Sequence, residues 1–136
     1  MLVVLDTNIF VSALISPHGY PGKIYQAWLN SRFKVATCQD QIDELRRVSH
    51  YPKLRPLILP HLFGFLLNHL RDVCVIHEIK HLHHADDPDD AYLLDLAETS
   101  GANYLVTGDK ESGLLKKRRV GQASILSAAT FCEKVL

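Results

Sequence analysis

Short apolar runs alternate with helix-period segments from one end of the chain to the other, and that alternation restricts the fold more than any other feature. Residues 2–5, Leu-Val-Val-Leu, are apolar on both faces, which suits a central parallel strand covered on two sides. Residues 8–15 then read as one or two helical turns and residues 22–30 as a helix. Residues 34–37 form a second strand. Residues 39–49 follow as a helix with Ile42, Leu45 and Val48 on one face. Residues 54–70 are mostly helical, starting after Pro56 or Pro60, since proline fits the first helical position and breaks an interior one. A third strand is predicted at 73–76. A helix at 88–99 turns Ala91, Leu94 and Ala97 inward, with Gly101 as its stop. Strands at 104–107 and 123–126 and a helix at 127–135 complete the chain. Strand–helix alternation implies right-handed crossovers and a three-layer α/β/α sandwich with a parallel sheet of four to five strands.

The 136 residues are one domain's worth, so residues 1–136 are expected to form a single domain. Hydrophobic residues make up 47% and charged residues 22%, which excludes a disordered or fibrous chain. Fifteen basic side chains face fifteen acidic ones, so any contact with nucleic acid must come from a local patch. Cys38, Cys74 and Cys132 are odd in number and widely spaced, which argues for reduced thiols and a cytoplasmic protein. The apolar start is cut by Asp6 and lacks a basic flank, so it is not a secretory signal. Residues 54–70 are interrupted by Pro56, Pro60, His61, Asn68 and His69, so no membrane span is expected.

In open α/β sheets, sites lie at the carboxyl ends of the strands, and acids gather there. Asp6 follows the first strand and Asp109 the fourth. Asp90 opens the helix before the fourth strand, and Glu44 lies on the helix after the second. Converging carboxylates repel one another unless a cation is present, and all-oxygen donors select Mg²⁺, Mn²⁺ or Ca²⁺ over zinc. Each acid also has a plainer reading. Asp6 can cap a helix, Asp87-Pro88-Asp89-Asp90 reads as a capping box, Glu44 can be a solvated helix acid, and Gly108-Asp109 can be a turn. Their shared placement at one sheet edge favours a site.

These segments resemble the PIN-domain nucleases. Val3-Val4-Leu5-Asp6-Thr7-Asn8-Ile9-Phe10 is similar to the family's opening. Asp40-Gln41-Ile42-Asp43-Glu44-Leu45 is similar to the helix carrying its glutamate. Asp87-Pro88-Asp89-Asp90 and Tyr104-Leu105-Val106-Thr107-Gly108-Asp109-Lys110 resemble the segments with its third and fourth acids. The blocks occur in family order over nearly the whole chain, and small single-domain bacterial toxins (VapC-like) of type II toxin–antitoxin pairs are the nearest match within the family. The resemblance implies a metal-dependent endoribonuclease that cleaves single-stranded RNA, with Asp6, Glu44, Asp90 and Asp109 holding Mg²⁺ or Mn²⁺. Asn8 and Thr107 match supporting polar positions. Many members carry an aspartate where this chain has Glu111, so Glu111 is a departure beside the fourth acid. An antitoxin partner and a homodimer are also implied. The expected chemistry is in-line attack of an activated water on phosphorus, with no nucleophilic side chain.

Two other functional classes fit the same fold. An aspartyl-phosphate phosphohydrolase needs a second aspartate two residues after the first, where Asn8 stands. A non-catalytic binding module would have no need of all four acids. The dense basic run Lys116-Lys117-Arg118-Arg119 fits phosphate steering, with Arg46 and Arg47 as further candidates. His77, His81, His83 and His84 match no metal-binding spacing and read as a solvated loop. Tyr20, Tyr25 and Tyr51 are candidates for base stacking. If residues 54–70 form one helix, Leu59, Leu62, Phe63, Leu66 and Leu70 make a buried stripe, while Leu57, Ile58 and Phe65 point elsewhere. That surplus should form an apolar interaction patch.

Overall fold

The apolar run Leu2–Leu5 is strand β1, and its period-two alternation divides the core into two layers. Val3 and Leu5 join one buried cluster and Val4 the other, as a strand covered on both faces requires. The structure, a computed structural model, describes residues 1–81, 83, 88–108 and 113–136, with the side chains of residues 88 and 89 left aside. The further elements are α1 (Thr7–Ile15), α2 (Tyr20–Leu29), β2 (Lys34–Val35), β3 (Thr37–Cys38), α3 (Gln39–Ser49), α4 (Pro60–Val73) and β4 (Ile76–His77). They continue with α5 (Pro88–Ser100), β5 (Tyr104–Thr107), α6 (Gly113–Lys117), β6 (Arg119–Val120), β7 (Ala123–Ser127) and α7 (Ala128–Lys134).

The main sheet has the order β2-β1-β5-β7-β6, and β3 pairs with β4 in a short second sheet. β1 is parallel to β2 and β5, and β5 is parallel to β7. The registers Leu5↔Val106 and Thr107↔Ser127 bring three strands to a common carboxyl edge. One core layer packs Ile9, Phe10, Trp28, Leu66, Leu70 and Phe131 against Val3, Leu5 and Val106. The opposite layer packs Leu93, Leu94 and Leu96 of α5 against Val4, Leu105 and Ile125. The α/β/α sandwich is therefore present. No described helix is long and apolar enough to cross a membrane.

Three expectations need correction. The third strand is Ile76–His77 rather than 73–76, because α4 runs on through Val73 and the Cys74 N–H donates to the Leu70 carbonyl at 3.1 Å. Of the two starts left open for this helix, Pro60 is the one used, and Leu59 is its extended N-cap. Leu59 is accordingly exposed rather than part of the stripe, and Ile58 is buried. The sheet is also not wholly parallel. The two-residue strand β6 turns back antiparallel on β7, through a turn in which Gly121 has φ +56°, a conformation glycine adopts without strain.

Candidate functional site

Asp6 both caps α1 and faces the candidate site. Its backbone N–H donates to the Val106 carbonyl at 2.9 Å, which fixes it between β1 and β5. One carboxylate oxygen accepts the Asn8 N–H at 3.3 Å, and the other accepts the buried Thr107 hydroxyl at 2.9 Å. Such bonds offset the cost of burying an ionised carboxylate. Asp6 is buried. The cap and the site readings of this residue are thus compatible, and Thr107 and the Asn8 main chain support the acid.

Glu44 is buried on α3, one turn after Gln41. The fully buried Gln41 ties that helix to the main sheet. Its carboxamide nitrogen donates to the Leu5 carbonyl at 2.6 Å, and its oxygen accepts the Thr37 hydroxyl at 2.7 Å. The glutamate's register against β1 therefore rests on a polar anchor that sequence reasoning missed. Gln41 lies three residues before Glu44, on the same helical face, and that spacing is the only signal in the sequence.

Tyr92 ties the helix of Asp90 to the start of α1. Its hydroxyl lies 2.9 Å from the Thr7 hydroxyl, which joins α5 to the start of α1. Its phenol is pushed far above its ordinary value, first by burial and then by the negative charge of Glu44, with Cys38 and Asp6 adding smaller contributions in the same direction. The Cys38 thiol rises to about 11, mainly through burial, with the charges of Asp40 and Glu44 adding to it. Asp90 is half-buried on the first turn of α5, two residues before Tyr92. Asp109 and Glu111 lie outside the described residues, as does the predicted cap Asp87. Gly108, which precedes Asp109, directly follows β5 at the same edge.

Among the described residues, no group of three or more His, Cys, Asp or Glu side chains could hold a metal ion. The donor chemistry nonetheless fits a hard divalent cation. Two buried carboxylates, Asp6 and Glu44, supply the oxygen donors that such an ion takes.

The basic run lies at the end of α6 and the start of β6. Lys116, Lys117, Arg118 and Arg119 are all exposed. Arg119 pairs with Ser124, three residues short of Ser127 at the carboxyl edge, so the run leads away from the edge along β6. Arg46 lies 4.0 Å from Asp43 in an exposed pair, of the kind that contributes little. His83 is not simply solvated. Its N–H donates to the buried Asp95 carboxylate at 2.9 Å, and its ring is paired with Glu98. His81 stays exposed, 3.9 Å from the other Asp95 oxygen, and His84 lies outside the described residues. Asp95 anchors this segment on α5 and was not anticipated, because its inward position looks like any helix acid in sequence.

A cleft of about 400 Å³ opens beside Asn8 and Gly108, lined further by Ser12, Tyr20, Pro21 and Ser127. Of the three tyrosine candidates, only Tyr20 lines it. Tyr25 is buried against Trp28, with its phenol raised to about 12 by burial. Tyr51 is exposed beyond the end of α3.

Residues 2–111 match the family model described as PIN domain. The chain is 31% identical over 111 residues to the uncharacterized protein MJ1680 of Methanocaldococcus jannaschii, which covers 80% of this chain and 71% of that protein. Its fold is similar to a chain in the crystal structure of VapBC2 from Rickettsia felis bound to a DNA fragment from their promoter. There the TM-score is 0.59 with 17% identity, over 93% of this chain and 98% of the other. With a PIN-domain model matching residues 2–111, most of its length, the chain belongs to the PIN-domain family, a family of nucleases.

Proposed function

We propose that this chain is a metal-dependent endoribonuclease acting on single-stranded RNA, and the toxin of a toxin–antitoxin pair. The observation that supports this most is the burial of Asp6 at the carboxyl edge of a mostly parallel sheet, with Glu44 buried on the helix that Gln41 ties to the adjoining Leu5 carbonyl. That edge is where open α/β sheets place their chemistry. The similarity in fold to a VapBC2 chain supports the toxin setting.

In this reading Asp6 and Glu44 hold Mg²⁺ or Mn²⁺, with Asp90 and Asp109 completing the donor set. When bound, the ion supplies positive charge to the phosphate and lowers the pKa of a water. The chain's own contribution is to fix the acids. Thr107 and the Asn8 N–H hold the Asp6 carboxylate by both oxygens, while Gln41 holds the helix of Glu44 against β1. Lys116, Lys117, Arg118 and Arg119 draw the RNA backbone toward the edge in a salt-dependent way. Asn8 occupies the position where an aspartyl-phosphate enzyme needs its acid, which disfavours that chemistry.

Thermal melting with and without millimolar Mn²⁺, beside cleavage of a labelled single-stranded RNA, tests the proposal. The ion should raise the Tm of the wild type, because it binds the folded form alone. Asp6→Asn should lose most of that rise and lose cleavage while staying folded, and His81→Ala should keep both. A wild type whose melting ignores both Mg²⁺ and Mn²⁺ and which cleaves no RNA defeats the reading.

A further inference from the structure

The cleft beside Asn8 and Gly108 differs in chemistry from the carboxylates of Asp6 and Glu44. Among the described residues, none of its lining side chains carries a charge. Asn8 and Ser12 offer neutral donors and acceptors, Pro21 and Ala128 offer small apolar surface, and Tyr20 supplies an aromatic wall. Its volume of about 400 Å³ lies within the range of about 300–1,000 Å³ usual for small-ligand pockets. An uncharged, flat group with polar edges fits this lining better than a phosphate or a cation does.

The wall is held in place from several sides. The Tyr20 hydroxyl donates to Glu133 at 3.1 Å, and Lys23 lies 5.5 Å from the ring centre. Two residues on, Gly22 has no room for a side chain, since a Cβ there would lie 2.0 Å from the Pro17 carbonyl oxygen. The first turn of α2 is therefore pressed onto the α1–α2 loop, and Tyr20 is fixed at the mouth of the cleft. Tyr20 is nonetheless 41% exposed as a residue, which leaves surface for stacking.

We infer that this cleft is a nucleobase subsite, in which Tyr20 stacks on a base adjoining the cleaved linkage and Asn8 and Ser12 meet its polar edge. The inference rests on the nuclease reading. It gives single-strand preference a physical basis, because a base can enter the cleft only when it is unstacked from a partner strand.

The test uses short single-stranded RNAs with 2-aminopurine placed in turn on each side of the linkage that the wild type cleaves. They are bound to the full-length Asp6→Asn protein, so that no cleavage occurs. With Tyr20 intact, one placement should show strong fluorescence quenching. Tyr20→Phe keeps the ring and should keep both quenching and affinity. Tyr20→Leu should lose the quenching and bind roughly 5- to 100-fold more weakly, the range for loss of one base–aromatic stack. Undiminished quenching in Tyr20→Leu, or equal losses in Tyr20→Leu and Tyr20→Phe, overturns the subsite. Wild-type cleavage without any Tyr20-dependent quenching sinks the subsite alone. Absence of both cleavage and RNA binding sinks the nuclease reading and the subsite with it.

Discussion

Gln41 shows how one neutral side chain can set the place of a charged one. Its two bonds are made in a fully buried setting, to the last carbonyl of β1 and to Thr37. Gln41→Leu keeps the bulk but leaves the Leu5 carbonyl and the Thr37 hydroxyl without those bonds. Burying an unmet polar group costs about 1–3 kcal/mol, so urea melts should show a loss in that range with an unchanged m-value. Because Glu44 sits one turn further along α3, the Mn²⁺-induced rise in Tm should shrink as well. If stability falls while the Mn²⁺ response stays at the wild-type size, Gln41 has no part in placing Glu44.

The α1–α2 pair shows competition between propensity and packing within an element. Alanine is the better helix former by about 1 kcal/mol, so Gly22 looks wasteful inside α2. The approach of Pro17 reverses that preference, because a Cβ there would meet its main chain at 2.0–2.8 Å. Main-chain atoms cannot swing aside as a side chain can. Gly22→Ala should therefore destabilise by about 3 kcal/mol, the upper end of ordinary overpacking, and lower the Tm by roughly 10 °C in calorimetry. A neutral or stabilising result shows that the loop yields freely and that Tyr20 is not held by it. At the same scale, α4 ends later than its apolar pattern suggests. Val73 is exposed although helical, and the strand after it shrinks to two residues.

At the scale of the molecule, several large apolar side chains in and around α4 stay exposed. Phe63, Leu66 and Leu70 of α4 are buried, whereas Leu57, Leu59, Phe65, Val73 and Val75 are exposed. Phe65 is stacked on His69 with an interplanar angle of 8°. Exposed apolar side chains mark interfaces when they cluster, and the toxin reading proposed above predicts that Phe65 meets an amphipathic helix of an antitoxin. Phe65→Glu should remain folded and soluble, because the side chain is 53% exposed. It should bind such a helix at least about tenfold more weakly, a modest loss for an interface aromatic. A wild type that binds no amphipathic helix refutes this prediction.

The alternation of strands and helices, the two-sided burial of β1 and the placing of Asp6 at the carboxyl edge were legible in the chain, because strand and helix periods are local and the edge follows from parallel topology. The antiparallel return of β6 was not legible, since a two-residue strand carries no period. The anchors of the candidate site were also out of reach. Gln41 reaches a carbonyl 36 positions away, and Tyr92 a hydroxyl 85 positions away. Nothing near either residue in sequence announces its partner. The choice of Tyr20 over Tyr25 and Tyr51 belongs with these, because exposure and a cleft arise only when α2 meets α1 and α7. Sequence determined which residue types arrive at the edge, since their spacing along each element is short-range. Tertiary structure decided which of them touch, because those contacts join elements that only packing brings together.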